Sequence, residues 1–181
     1  MESDEIQELQ EHAEHAKHDP TLAPVSLTMA ILAVLVATVS LMGHRSHTEE
    51  VVLQNKVSDQ WAYYQAKGTR RHEDEQFNDL TSLLASPDPA ALQQLKQKYS
   101  QEADRYRDDQ KELEAEARKL EAETATQRKR ADRYDLGEVF LEIGLVVTSI
   151  TLLSGRRIFW KSGIVLGLAG MATAASALLL H

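Results

Sequence analysis

The chain has 181 residues, a formal net charge of −8, 43% hydrophobic and 27% charged residues, and no cysteine. The missing cysteines exclude thiol catalysis, cysteine zinc sites and disulfides, and 16 bases against 19 acids over residues 44–135 leave no sustained basic patch for nucleic acid. A mean hydropathy of −0.38 reads as a soluble protein, yet it averages a charged middle of about ninety residues against three apolar stretches, Val25 to Met42, Leu136 to Ser154 and Ile164 to Leu180.

Residues 1–24 form an acidic tail with seven acids and Lys17 as its one base. A signal peptide needs a basic n-region, so the following apolar stretch reads as an uncleaved membrane helix. Within the tail, His12, His15 and His18 stand among Glu11, Glu14 and Asp19. On a helix, His12 and His15 lie on adjacent turns, as do Glu14 and His18, a spacing that suits a divalent metal or a plain solvated acidic helix.

The apolar stretches hold 17 to 19 residues each. At ~1.5 Å rise per residue, a helix of that length just crosses a ~30 Å hydrocarbon core. They predict an all-α integral membrane protein with transmembrane helices over 25–43, 136–154 and 164–181. Ala30, Ala33, Ala37 and Ser40 line one face of the first. Gly163, Gly167, Gly170, Ala174 and Ala177 line one face of the third. Small faces let helices approach closely, between copies or within one three-helix chain.

Between the first two spans, residues 44–135 carry a breaker at Ser86-Pro87-Asp88-Pro89 and helical apolar spacing on either side. This predicts a long antiparallel, coiled-coil-like hairpin with its turn at 86–89. Paired residues in such a hairpin have position numbers of nearly constant sum. That rule sets Leu84 against Leu92, Leu80 against Leu95, Phe77 against Tyr99, Trp61 against Leu113, Val57 against Ala117 and Leu53 against Leu120. It also sets Gly68 opposite Tyr106, whose ring a glycine has room to receive. Arms of about 40 residues project roughly 60 Å. Glu102, Gln110, Thr124 and Gln127 fall on the seam, which is then too polar to hold two helices unaided and predicts a homo-oligomer. Trp61 lies about 19 residues past Met42, too far along a helix for an interfacial belt. With Tyr64 it is better suited to a packing knot between hairpins, leaving Tyr63 and Lys67 on an outer face.

The short basic loop 155–163 carries Arg156, Arg157 and Lys161. Positive short loops favour the cytoplasm, which puts the hairpin on the periplasmic side. Arg128, Lys129, Arg130 and Arg133, at the hairpin end of the second span, argue the other way. Glu138 and Glu142 are the ionisable residues inside the apolar stretches, and such groups are costly and often functional. Connectivity brings His44, Arg45 and His47 to the same membrane face. The cluster is a candidate ion or proton site; alternatively, Glu142 pairs with Arg45 or with a neighbouring copy and holds helices in register.

The block Ser58-Asp59-Gln60-Trp61-Ala62-Tyr63-Tyr64-Gln65-Ala66-Lys67-Gly68, with the acidic tail, the three apolar stretches and the Arg-Arg-x-Phe-Trp turn at Arg156 to Trp160, resembles a family of uncharacterised three-span bacterial membrane proteins, a domain of unknown function. The resemblance implies a membrane location and this architecture only, and brings no known activity, substrate or catalytic residue to this chain; no cofactor is expected from the sequence. Phosphate loops, nucleophile elbows and HExxH motifs are absent, so no enzyme is expected. The sequence reads as a multi-pass inner-membrane scaffold or partner-binding assembly; the alternatives are an oligomeric channel or proton-linked transporter through Glu138 and Glu142, and a metal-responsive protein through its tail. The expected partners are the bilayer, further copies of the chain and an unidentified protein.

Overall fold

The computed structural model describes residues 22–83 and 87–180, which form three α-helices: α1, Ala23–Leu83; α2, Pro89–Ser154; and α3, Arg157–Ala177. His12, His15 and His18 lie outside the described residues, as do Leu84 and Ser86 of the predicted turn. α1 and α2 have 61 and 66 residues; α1 continues from an apolar segment into a charged one and α2 from a charged segment into an apolar one, both without a break. Beyond Pro24 and Pro89, each in the first turn of its helix, neither run contains a proline, so nothing in the backbone stops the helix.

The local chemistry sets the ends. Asp88 caps α2: its Oδ1 accepts from the backbone N–H of Ala90 at 3.1 Å and of Ala91 at 3.0 Å. Pro89 follows as the first helical residue, where its missing N–H costs nothing. Gly155 ends α2 with φ +66°, donating its N–H to Thr151 O at 2.9 Å. A side chain is disfavoured at that φ, hence glycine. The turn is so tight that α3 begins at Arg157, and most of the segment read as a loop is helical.

The chain divides into two compact units, one of residues up to Thr48 and from Thr126 onward, the other Glu49–Ala125. The first is a three-helix unit with Leu32, Val39, Tyr134, Leu141, Ala174 and Ala177 at its centre and Leu35, Val36, Leu145 and Met171 packed around them. Its α2–α3 contact is set by glycine. A Cβ on Gly137 would lie 2.9 Å from Gly170 O, and one on Gly170 would lie 2.7 Å from Gly137 O; Gly144 and Gly163 approach each other's carbonyls at 2.9 and 2.7 Å in the same way. Gly167 instead makes room for the end of Leu32 on α1.

The unit Glu49–Ala125 packs the charged part of α1 against that of α2, residue numbers rising on one as they fall on the other. Phe77 meets Tyr99 with ring centroids 4.4 Å apart, Lys67 pairs with Asp109 at 2.7 Å, and Gln60 reaches Glu116 at 3.4 Å. Its buried apolar side chains are Leu53, Val57, Ala103 and Ala117, accompanied by buried Thr81, Gln110 and Thr124. Leu80 and Leu95, expected to face each other, are 62% and 38% exposed. At that level Thr81 is the buried residue, because the α1 face turned to α2 has moved one position along from Leu80.

Candidate functional site

In the unit Glu49–Ala125, the aromatic block sits on the seam. Trp61 and Tyr64, one turn apart, form an edge-to-face pair with centroids 5.3 Å apart and planes at 79°. The indole N–H donates to Glu121 Oε1 at 2.9 Å. Both rings are half-buried, Leu113 is half-buried on the opposite helix, and Tyr63 is exposed.

Gly68 does not receive the ring of Tyr106. Its partner is Gln110, one turn further along α2: a Cβ on Gly68 would lie 2.6 Å from Gln110 Nε2, and that amide donates to Tyr64 O at 3.2 Å. Glycine therefore lets a buried amide reach a backbone carbonyl. The constant-sum rule missed this because it fixes register only to within about a turn of the helix. Tyr106 lies to the side, with Lys67 Nζ 5.1 Å from its ring centroid. Lys67, expected on an outer face, thus bridges Tyr106 and Asp109.

Three seam atoms are buried without a hydrogen-bond partner: Arg71 Nε, Asp74 Oδ2 and Gln110 Oε1. Desolvation, then the charges of Glu102 and Glu73, hold the Asp74 carboxyl above its ordinary pKa, against the opposing pull of Arg105 and Lys98. On the exposed flank of α2, a hydrogen bond from Lys111 holds Asp108 below the usual carboxylate range.

In the three-helix unit, His47 Nε2 lies 2.9 Å from Asp135 Oδ2. Asp135 is the partner that sequence reasoning missed; it is the charged residue immediately before the apolar stretch, on the α2 end level with His47. His44 and Arg45 are exposed, Glu138 is half-buried and Glu142 is exposed. Among the described residues, no hydrogen bond or ion pair joins Glu138 or Glu142 to His44, Arg45 or His47. The structure pairs His47 with Asp135 and places Glu138 and Glu142 on α2 after it. No group of three or more His, Asp or Glu able to hold a metal occurs among the described residues.

Gly163, Gly167 and Gly170 are buried with Ala174 and Ala177. Their face is covered by α2 and by Leu32 of the same chain, so the glycine stripe is spent on packing within one chain. The sequence named the α3 half of this contact and missed Gly137 and Gly144, whose seven-residue spacing on α2 is the available signal. The basic cluster before the second span also has a packing role. Arg130 donates to Leu180 O through Nε at 3.1 Å and Nη2 at 2.6 Å, and Arg133 donates to Ser176 Oγ at 3.2 Å. Cationic donors at a helix C-terminus satisfy orphan carbonyls and complement the dipole.

These features define an all-α chain whose three helices are each long and apolar enough to cross a membrane. The chain belongs to a family described as a domain of unknown function (DUF4337), whose model matches residues 21–180. Comparison with curated proteins and with solved structures gives no match.

Proposed function

We propose that the chain is a non-enzymatic membrane protein that crosses the bilayer three times and self-associates through a charged helical hairpin, giving a homo-oligomeric scaffold or partner platform at the bacterial envelope. The observation that carries this reading is the thinness of the seam in Glu49–Ala125. Four buried apolar side chains, two of them alanines, serve a helix pair that leaves Val51, Tyr63, Leu80 and Leu83 between 60% and 84% exposed. A two-helix coil with buried Gln110 and Thr124 and so little apolar burial gains stability by packing against further copies. The periplasmic side for the hairpin rests on Arg156, Arg157 and Lys161 in the turn region. The opposing basic residues Arg130 and Arg133 have a structural reason to be where they are.

Sedimentation of the detergent-solubilised chain, corrected for bound detergent, tests the proposal. It expects one discrete multimer that Trp61→Ala dissociates; a monomer at all concentrations removes the homo-oligomer. Single cysteines at Ser86 and Ser162, probed with an impermeant thiol reagent in intact cells, test the orientation: labelling at Ser162 alone reverses it.

One observation favours a second reading, an ion or proton pathway formed between copies. Glu142 lies within the apolar stretch of α2 and is exposed, with no partner among the described residues. A carboxylate there is expensive unless water, a cation or another copy meets it. Reconstituted vesicles then show an ion flux that Glu142→Gln alters, and flux equal to that of empty vesicles eliminates the pathway.

A further inference from the structure

At the turn end of the three-helix unit, the start of α1, the end of α2 and the start of α3 enclose a cavity of ≈ 280 Å3 lined by Leu22, Pro24, Val25, Thr151, Arg157 and Trp160. One part of its wall is apolar. The rest carries groups suited to an anion.

Thr151 is the informative residue. It is 1% exposed, and its hydroxyl has no hydrogen-bond partner. Threonine in a helix ordinarily spends its hydroxyl on the carbonyl one turn back, as Thr148 does by donating to Gly144 O at 2.7 Å. Thr151 forgoes that bond at the cavity wall, which leaves a buried hydroxyl without a partner. α3 starts at the same place. Its N-cap, Arg156, makes no side-chain cap hydrogen bond; the Phe159 N–H donates to Arg156 O at 3.3 Å, and the N–H groups of Arg157 and Ile158 stand at the positive end of the dipole of this 21-residue helix. Arg157 is among the lining residues, Arg156 and Lys161 are its neighbours in sequence, and residues 143–180 contain no acid. Trp160 is fixed in the wall by its indole N–H, which donates to Thr28 Oγ1 at 3.0 Å.

We propose that this cavity binds a phosphate group, supplied by the headgroup of an anionic phospholipid. The Thr151 hydroxyl, the Arg157 guanidinium and the open helix start receive the phosphate, and Leu22, Val25 and Trp160 receive the glycerol and the first methylenes. The bases of the turn, Arg156, Arg157 and Lys161, favour a headgroup of net negative charge over a zwitterionic one. The source of the phosphate rests on the reading of the three helices as membrane spans; the phosphate site itself does not.

The test is thermal unfolding of the purified full-length chain in neutral detergent, followed by circular dichroism, with phosphatidylglycerol, phosphatidylcholine or inorganic phosphate at equal phosphate concentration. Phosphatidylglycerol raises the unfolding temperature, and phosphatidylcholine and inorganic phosphate raise it far less. Arg157→Gln and Thr151→Val each raise the phosphatidylglycerol concentration needed roughly tenfold, the loss of one charge-assisted or buried hydrogen bond. Thr151→Val keeps the side-chain shape and removes an unpartnered hydroxyl, so without lipid it unfolds no earlier than the wild type. A phosphatidylglycerol response that survives both substitutions, or equals that to phosphatidylcholine, overturns the site. Equal protection by inorganic phosphate overturns the lipid source and assigns the cavity to a free anion. Recovery of the chain in the soluble fraction of cells without detergent is the failure of the membrane reading, whereas a membrane-bound chain indifferent to phosphatidylglycerol fails the site alone.

Discussion

The helix α2 is held to its neighbours in two ways along its length. In the three-helix unit, α2 and α3 touch through Gly137, Gly144, Gly163 and Gly170, close enough that any Cβ would strike a carbonyl oxygen. In Glu49–Ala125, α1 and α2 meet over Leu53, Val57, Ala103 and Ala117, with buried Gln110 and Thr124 between them and ion pairs along the edge. The difference follows from the solvent each segment suits. Apolar side chains gain nothing by leaving lipid, so helices there are held by close backbone approach and dispersion. In water, apolar burial drives association, and a seam with so little of it is incomplete. The close glycine contacts of the first unit lie within one chain; the second, on the function proposed above, gains by packing against further copies.

The largest effect that breaks this contrast is expected at the glycine contact. Gly170→Ala places a methyl 2.7 Å from Gly137 O and 2.9 Å from Leu141 Cγ, against backbone that cannot yield. We expect a loss of about 3 kcal/mol or more, read as a lowered unfolding midpoint in detergent. Gly68→Ala meets Gln110 Nε2, the end of a flexible side chain, and costs about 1 kcal/mol. A larger loss at Gly68 than at Gly170 reverses the assignment of the rigid contact.

A substitution of opposite sign sharpens the comparison. Gln110→Leu replaces a buried amide whose Oε1 has no partner by an apolar side chain of similar size, and is expected to stabilise by about 1 kcal/mol in chemical denaturation. Arg130→Ala removes both donors to Leu180 O and exposes the end of α3, a cost of about 1 kcal/mol that appears as faster amide exchange at residues 176–180.

The smallest effect is the pH response of Asp74. Its folded pKa is raised by desolvation and by Glu102 and Glu73, so the native state binds its proton more tightly than the unfolded state. The penalty is full above the folded pKa and is relieved as pH falls through it. Asp74→Asn is therefore slightly more stable than the wild type at neutral pH, and the difference shrinks on acidification. A difference constant with pH removes desolvation of Asp74 as its cause.

Much of this was legible in the sequence, and the limits are physical. Three uncharged runs and Asp88-Pro89 announce the helices and the start of α2, because hydropathy and capping are local. Gly163, Gly167 and Gly170 announce a close face but not what covers it, since Gly137 and Gly144 are recognisable only once α2 and α3 are in contact. Gly68 was noticed as a packing residue, and its partner was displaced by one turn, from Tyr106 to Gln110. His47–Asp135 and Arg130–Leu180 join residues 88 and 50 positions apart, and neither leaves a pattern in either segment alone.

The claim that the charged unit, and not the three-helix unit, carries self-association is tested most directly by cross-linking single cysteines in native membranes, since the chain has none of its own. Tyr63 and Val165 are 63% and 66% exposed, so each offers an accessible position. With copper phenanthroline, which also oxidises thiols inside a bilayer, Tyr63→Cys is expected to give a disulfide-linked dimer and Val165→Cys to remain monomeric. A dimer from Val165→Cys with none from Tyr63→Cys would contradict the account.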